Sequence, residues 1–117
     1  MSRGSAALTS ARKEEIIQAC AKLYQTMSFK EITIKEIGAE TSFTRTSIYN
    51  YFETKEEIFL ALLQKEYELW SDAIRAVMER EAALTRQQVA GTLARTLTDR
   101  PRLLRLLSMN LYEGILG

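Results

Sequence analysis

The sequence has no histidine, a single cysteine, a single proline and only two aspartates, Asp72 and Asp99. Without an imidazole it lacks the commonest general base, the usual metal ligand and every triad built on one. Cys20 lies on an apolar helix face and reads as a small buried hydrophobe, not as a redox centre. No glycine-rich phosphate loop and no C-x-x-C is present. No enzyme is expected, and no cofactor or metal. One proline and five glycines in 117 residues argue against a loop-rich or β-turn-rich fold. No apolar run approaches the roughly 18 residues of a membrane span. The first ten residues carry no apolar core of the signal-peptide kind, so a cytoplasmic protein without membrane association is expected. The net charge of +1 does not announce a nucleic-acid ligand. A DNA-binding domain can still concentrate its positive charge on one face.

The informative stretch is Thr44 to Lys55, Thr-Arg-Thr-Ser-Ile-Tyr-Asn-Tyr-Phe-Glu-Thr-Lys. Thr44 is a good N-cap, and Ile48 and Phe52, four apart, share one helix face. Arg45, Thr46, Ser47, Tyr49 and Asn50 fall on the other faces, with Tyr51 near the C-terminal edge. Arginine, amide and hydroxyl groups of this kind read base edges and grip phosphates. Before this stretch, Thr33 and Glu36 form a T-x-x-E capping box that opens a helix reaching about Glu40. Thr41-Ser-Phe43 is then a tight connection of about three residues. Two short helices joined this way make a helix-turn-helix, whose second helix enters the major groove. Thr54 and Glu57 form another capping box, opening a long amphipathic helix.

These residues resemble the N-terminal domain of a TetR-family transcriptional regulator. The resemblance covers residues 12 to 70. It rests on Ile32-Thr-Ile-Lys-Glu-Ile-Gly, then Phe43-Thr-Arg-Thr-Ser-Ile-Tyr-Asn-Tyr-Phe, then Thr54-Lys-Glu-Glu-Ile. Three positions depart from the family pattern. Ser28 stands where glycine is common, Gly38 where alanine is usual, and Ser42 where the turn normally carries glycine. A left-handed turn residue costs serine roughly 1 kcal/mol that glycine avoids, so strain is expected at Ser42.

The rest of the chain also reads as helix. A first helix is predicted from about Ser10 or Ala11 to Met27, with Ile16, Cys20, Leu23, Tyr24 and Met27 on its apolar stripe. Residues 1–9, small and polar, are expected to be a disordered arm. A core is expected from Ile16, Cys20, Leu23, Phe29, Ile34, Ile37, Phe43, Ile48 and Phe52. A fourth helix is predicted from Lys55 to about Ala82, with a stripe too wide for one partner. A third capping box, Thr85 to Gln88, opens a fifth helix running to about Leu97, in which Gly91 is a weak point. Asp99 is expected to cap a sixth helix, which tolerates Pro101 in its first turn. That helix is apolar on most faces and is expected to be covered by another chain or by further sequence.

The expected fold is therefore all-α: a three-helix helix-turn-helix domain over residues 10–54, then a helical region over residues 55–117. By the resemblance, that region comprises a long connecting helix and part of a regulatory domain. The resemblance implies a repressor released by a small-molecule effector, acting as a homodimer on a palindrome in double-stranded DNA. Arg45 is the first candidate for a base, because arginine meets guanine O6 and N7 bidentately; Thr46 and Asn50 follow, for a thymine methyl and an adenine edge. The family's phosphate contacts carry over to Thr33, Thr44, Ser47, Tyr49 and Lys55, and Tyr51 is a candidate for sugar or phosphate. Tyr67, Trp70, Met78 and Met109 are candidates for an effector pocket. The competing expectation is a helical module that binds protein and not DNA.

Overall fold

The computed structural model describes residues 2–43, 45–80 and 84–112. Among these every regular element is a helix and there is no strand: α1 Ser2–Tyr24, α2 Ile34–Ala39, α3 Arg45–Ile48, α4 Lys55–Arg80, α5 Arg86–Thr98 and α6 Pro101–Tyr112. The chain divides into two compact units, residues 1–62 and 63–117, so the division falls inside α4. No described helix is long and apolar enough to cross a membrane.

In the first unit, α2 packs on α1 and on α3. The buried side chains are Ile16, Cys20 and Tyr24 of α1, Phe29 and Ile32 of the connection, Ile37, Ile48, and Ile58, Phe59 and Leu62 of α4. Phe59 is the hub. Its ring meets Tyr24 edge-on at 5.3 Å and Phe29 at 4.9 Å. Leu23, Ile34, Phe43 and Phe52 of the expected core are only half-buried. The first turns of α4 supply Ile58, Phe59 and Leu62 to this core, with the Phe59 ring between α1 and the α1–α2 connection.

Three local differences have physical causes. Helix α1 begins at Ser2 instead of Ser10. Ala6, Ala7 and Leu8 are strong helix formers and no proline interrupts them, so helix replaces the expected disordered arm. Helix α1 ends at Tyr24, short of Met27, in a turn where the Met27 amide donates to the Leu23 carbonyl at 2.9 Å. Regular helix in α3 stops at Ile48; the amides of Tyr51 and Phe52 both donate to the Ile48 carbonyl, at 2.9 and 3.0 Å. The run Ile-Tyr-Asn-Tyr-Phe is β-branched and aromatic, and favours closing the turn over continuing the helix.

The capping boxes are in place. Thr33 accepts from the Glu36 amide, and the Glu36 carboxylate accepts from the Thr33 amide. Thr54 with Glu57 and Thr85 with Gln88 repeat the pattern. A fourth such pair closes the turn after α1. The Ser28 amide donates to Glu31 Oε1 at 2.8 Å, and the Glu31 amide donates to Ser28 Oγ at 3.3 Å. The Ser28 backbone N–H, and then its hydroxyl, hold the Glu31 carboxyl below the usual carboxylate range. That turn thus has its full support above the ordinary carboxylate range and loses it as pH falls below that range through the lowered pKa.

In the second unit α5 packs on α6. Leu103 and Leu106 of α6 are buried, while Leu104 and Leu107 are exposed, so α6 is amphipathic and not apolar all round. Glu66 of α4 is buried and accepts a hydrogen bond from the Arg102 guanidinium of α6 at 3.1 Å. The Trp70 indole donates to Thr96 Oγ1 at 2.9 Å, joining α4 to α5. Asp99 is the C-cap of α5, not the N-cap of α6; its amide donates to the Arg95 carbonyl at 3.1 Å. Helix α6 instead starts with Pro101, whose missing N–H lies among groups a helix start leaves unpaired anyway.

Gly91 sits inside α5 with open space where a Cβ would be. Gly91→Ala should stabilise the chain by about 0.5–1 kcal/mol, by lowering the backbone entropy of the unfolded state. Thermal unfolding of the two proteins checks this; a lower midpoint for the alanine form would show that another group approaches the site.

Candidate nucleic-acid interface

The helix-turn-helix is held at both ends by side chains of the first unit. Its first helix is fixed at the start by the Thr33 capping box. Its turn is closed by Thr41, whose hydroxyl lies 2.8 Å from the Gly38 carbonyl and 2.9 Å from that of Phe43. Ser42 donates its amide to Glu15 Oε2 at 2.6 Å and its hydroxyl to Glu15 Oε1 at 3.1 Å. The carboxylate supplies partners for both polar groups of the residue where strain was expected. Arg12, one turn earlier on α1, lies over the Phe43 ring at 5.6 Å and donates to the Tyr51 hydroxyl at 3.4 Å.

Helix α3 is anchored by Ile48, which is fully buried. Tyr49 is 47% exposed, so its ring does not cap the core. Asn50 is also exposed, but it lies in the turn after α3 and not on the helix, its amide donating to the Ser47 carbonyl at 3.1 Å. Ser47 is half-buried and Thr33 is exposed. The backbone of Arg45 and Thr46 opens α3, while their side chains, and all of Thr44, lie outside the described residues.

Lys55, at the start of α4, has partners within the domain. Its ammonium donates to the carbonyls of Phe29 at 2.6 Å and Ile32 at 3.0 Å, and sits 4.2 Å from the Phe29 ring centroid. Three N–H donors are available, and two are spent inside the domain. Lys55 thus ties the start of α4 to the segment that feeds α2. Lys55→Met keeps the aliphatic stem and strands two carbonyls. It should cost about 1–3 kcal/mol of stability and leave the salt dependence of DNA binding unchanged. Urea unfolding, with duplex titrations at several salt concentrations, checks both; a salt slope smaller by about one at unchanged stability would return Lys55 to the phosphates.

Charge in this unit is balanced, with eight Lys and Arg against eight Asp and Glu over residues 1–62. Several of the carboxylates serve as hydrogen-bond acceptors for the backbone: Glu15, Glu31, Glu36 and Glu57. Glu40 pairs with Lys22 at 2.8 Å. Sequence reading passed over Glu15 and Arg12, which act on groups far along the chain. The spacing of Arg12 and Glu15, three apart on one helix face, was the available signal.

Of the effector candidates, Tyr67, Trp70 and Met78 do not line a groove. Tyr67 and Met78 are 54% and 50% exposed, and the Met109 side chain lies outside the described residues. Tyr67 meets Trp70 edge-on at 5.8 Å, and Trp70 is engaged by Thr96. An open groove of about 570 Å³ in the second unit is lined instead by Val77, Leu84, Thr85, Gln88, Thr92 and Arg95, among others.

Comparison with known proteins bears on the same segment. The family described as bacterial regulatory proteins, tetR family, matches residues 16–62. The uncharacterized HTH-type transcriptional regulator YfiR of Bacillus subtilis is 30% identical over 53 residues, covering 45% of this chain and 26% of that protein. The HTH-type transcriptional regulator RutR of Escherichia coli K12 is 24% identical over 106 residues, covering 90% of this chain and 50% of that protein. The chain thus spans half or less of the length of these relatives. No solved structure matches it significantly. The matched segment ends at Leu62, where the first compact unit ends, and it contains the Thr33 cap, the Glu15-anchored turn's far side and α3. Residues 16–62 thus match the tetR family of bacterial regulatory proteins, and the helix-turn-helix within them is of the DNA-binding kind that HTH-type transcriptional regulators carry.

Proposed function

We propose that the chain is a cytoplasmic, sequence-specific regulator of transcription that acts as a homodimer on a palindromic operator, as a repressor released by a small-molecule effector. The observation that carries the DNA reading is the asymmetry of α3 and its flanks: Ile48 is fully buried while Tyr49 and Asn50 are exposed. Tyr49 and Asn50, directly after the buried anchor, are thereby presented outward, where a ligand can reach them. In this reading Arg45 and Thr46 meet base edges, and Asn50 reaches them from the following turn. Thr33, Thr44, Ser47 and Tyr49 meet phosphates. Tyr51 is assigned to positioning through Arg12. The exposed Leu93, Leu104 and Leu107 of the second unit support association of two copies through residues 63–117.

Selection of bound sequences from random duplexes tests this. The expected product is a palindrome whose half-sites lie about one DNA turn, or a multiple of it, apart. Failure to enrich any sequence, with affinity for duplexes insensitive to salt, would instead favour a helical module that binds protein.

A further inference from the structure

We propose that Glu15 of α1 is a positioning residue for α3: by gripping the turn at Ser42 it sets the direction in which the recognition helix is presented. The proposal rests on the DNA-binding reading above. A four-residue helix has no stability of its own, because nucleation costs more than its few bonds return. Its direction is therefore set by what holds its ends. Thr41 fixes the internal shape of the turn, through bonds to carbonyls two and three residues away. Among the described residues, Glu15 ties the polar backbone of that turn to another element, across 27 residues of sequence. Its two oxygens take the Ser42 amide and hydroxyl separately, at 2.6 and 3.1 Å. Such a two-point, charge-assisted contact fixes orientation as well as distance. Arg12 completes the grip from the same helix face by holding the Phe43 ring and the Tyr51 hydroxyl, on either side of α3.

The sign of the effect separates this role from plain electrostatics. Removing a carboxylate near DNA, by itself, tightens every duplex alike, because repulsion from phosphates is relieved. Losing a positioning contact weakens the selected duplex and spares random ones. The experiment uses the full chain, with Glu15→Ala, Ser42→Ala and the double variant, each titrated with the selected duplex and with a random duplex of equal length. Glu15→Ala should weaken the selected duplex about tenfold while random duplex changes less than about twofold. Ser42→Ala should weaken the selected duplex by a few-fold in the wild-type background and not at all in the Glu15→Ala background, where the hydroxyl has lost its partner. Exchange of the Ser42 amide in the DNA-free protein should be slower in the wild type than in Glu15→Ala. Equal exchange rates would overturn the proposal at its root. Equal weakening of selected and random duplexes, or additive losses in the double variant, would overturn the positioning role even with the bond present. A wild-type protein that binds no duplex overturns the DNA reading, and the role with it, while the amide comparison still reports the Glu15–Ser42 contact.

Discussion

Phe59→Ala should destabilise the first unit by about 3–5 kcal/mol. The ring is 1% exposed and edge-on to both Tyr24 and Phe29. It therefore joins α1, the connection and α4 through a single side chain. Truncation loses the transfer energy of the ring and leaves a cavity that three separate segments would have to move to fill. Domains hold only about 5–15 kcal/mol in total, and small ones lie near the lower end. Most of the reserve of a 62-residue unit would go. The variant should show a urea midpoint close to zero for this unit and no DNA binding. Phe59→Leu, which keeps most of the volume, should lose much less. A loss below about 1 kcal/mol in Phe59→Ala would show that the cavity collapses or that the ring is not central.

The place of Phe59 marks what the sequence could and could not tell. Its face was readable, since Ile58, Phe59 and Leu62 belong to the apolar stripe of α4. Its partners were not, because periodicity names a face and never the element opposite. A boundary drawn at Lys55, where α4 begins after its Thr54 cap, leaves α4 out of the first core. The caps themselves were legible because each lies within four residues: Thr33 to Glu36, Thr54 to Glu57, Thr85 to Gln88. Contacts spanning the chain were not. The Lys55 ammonium bonds a carbonyl 26 residues away, and Glu15 bonds an amide 27 residues away. At the turn, Ser42 looked like a liability in glycine's place, and at Ser28 a glycine was also missed. In both places the serine is held by a glutamate: Ser28 by Glu31 and Ser42 by Glu15. The Ser28 amide, and both the amide and the hydroxyl of Ser42, find a charged acceptor, which offsets backbone freedom that glycine would have kept. The local pair, Ser28 with Glu31, was open to a reader of S-x-x-E; the distant one was not.

Arg45→Ala should cost about 1–3 kcal/mol on the selected duplex and relax the preference at one base pair in each half-site. Arg45 is the first residue of α3, immediately after the turn that Thr41 and Glu15 hold. Ile48, three residues on, is the buried anchor of that helix. The first position of a recognition helix faces the base edges in the major groove, and arginine alone offers two parallel donors to guanine O6 and N7. Lysine would keep the charge but not the fork. Arg45→Lys should therefore retain most of the affinity for random duplex while losing discrimination on the selected one. In a dimer each operator carries two copies of the contact, so changing the affected base in one half-site should cost about half as much as changing both. Titration of the three proteins against the selected, singly changed and doubly changed duplexes separates the cases. Equal weakening of all duplexes by Arg45→Ala would make the residue a phosphate contact, and base reading would then rest on Thr46 and Asn50.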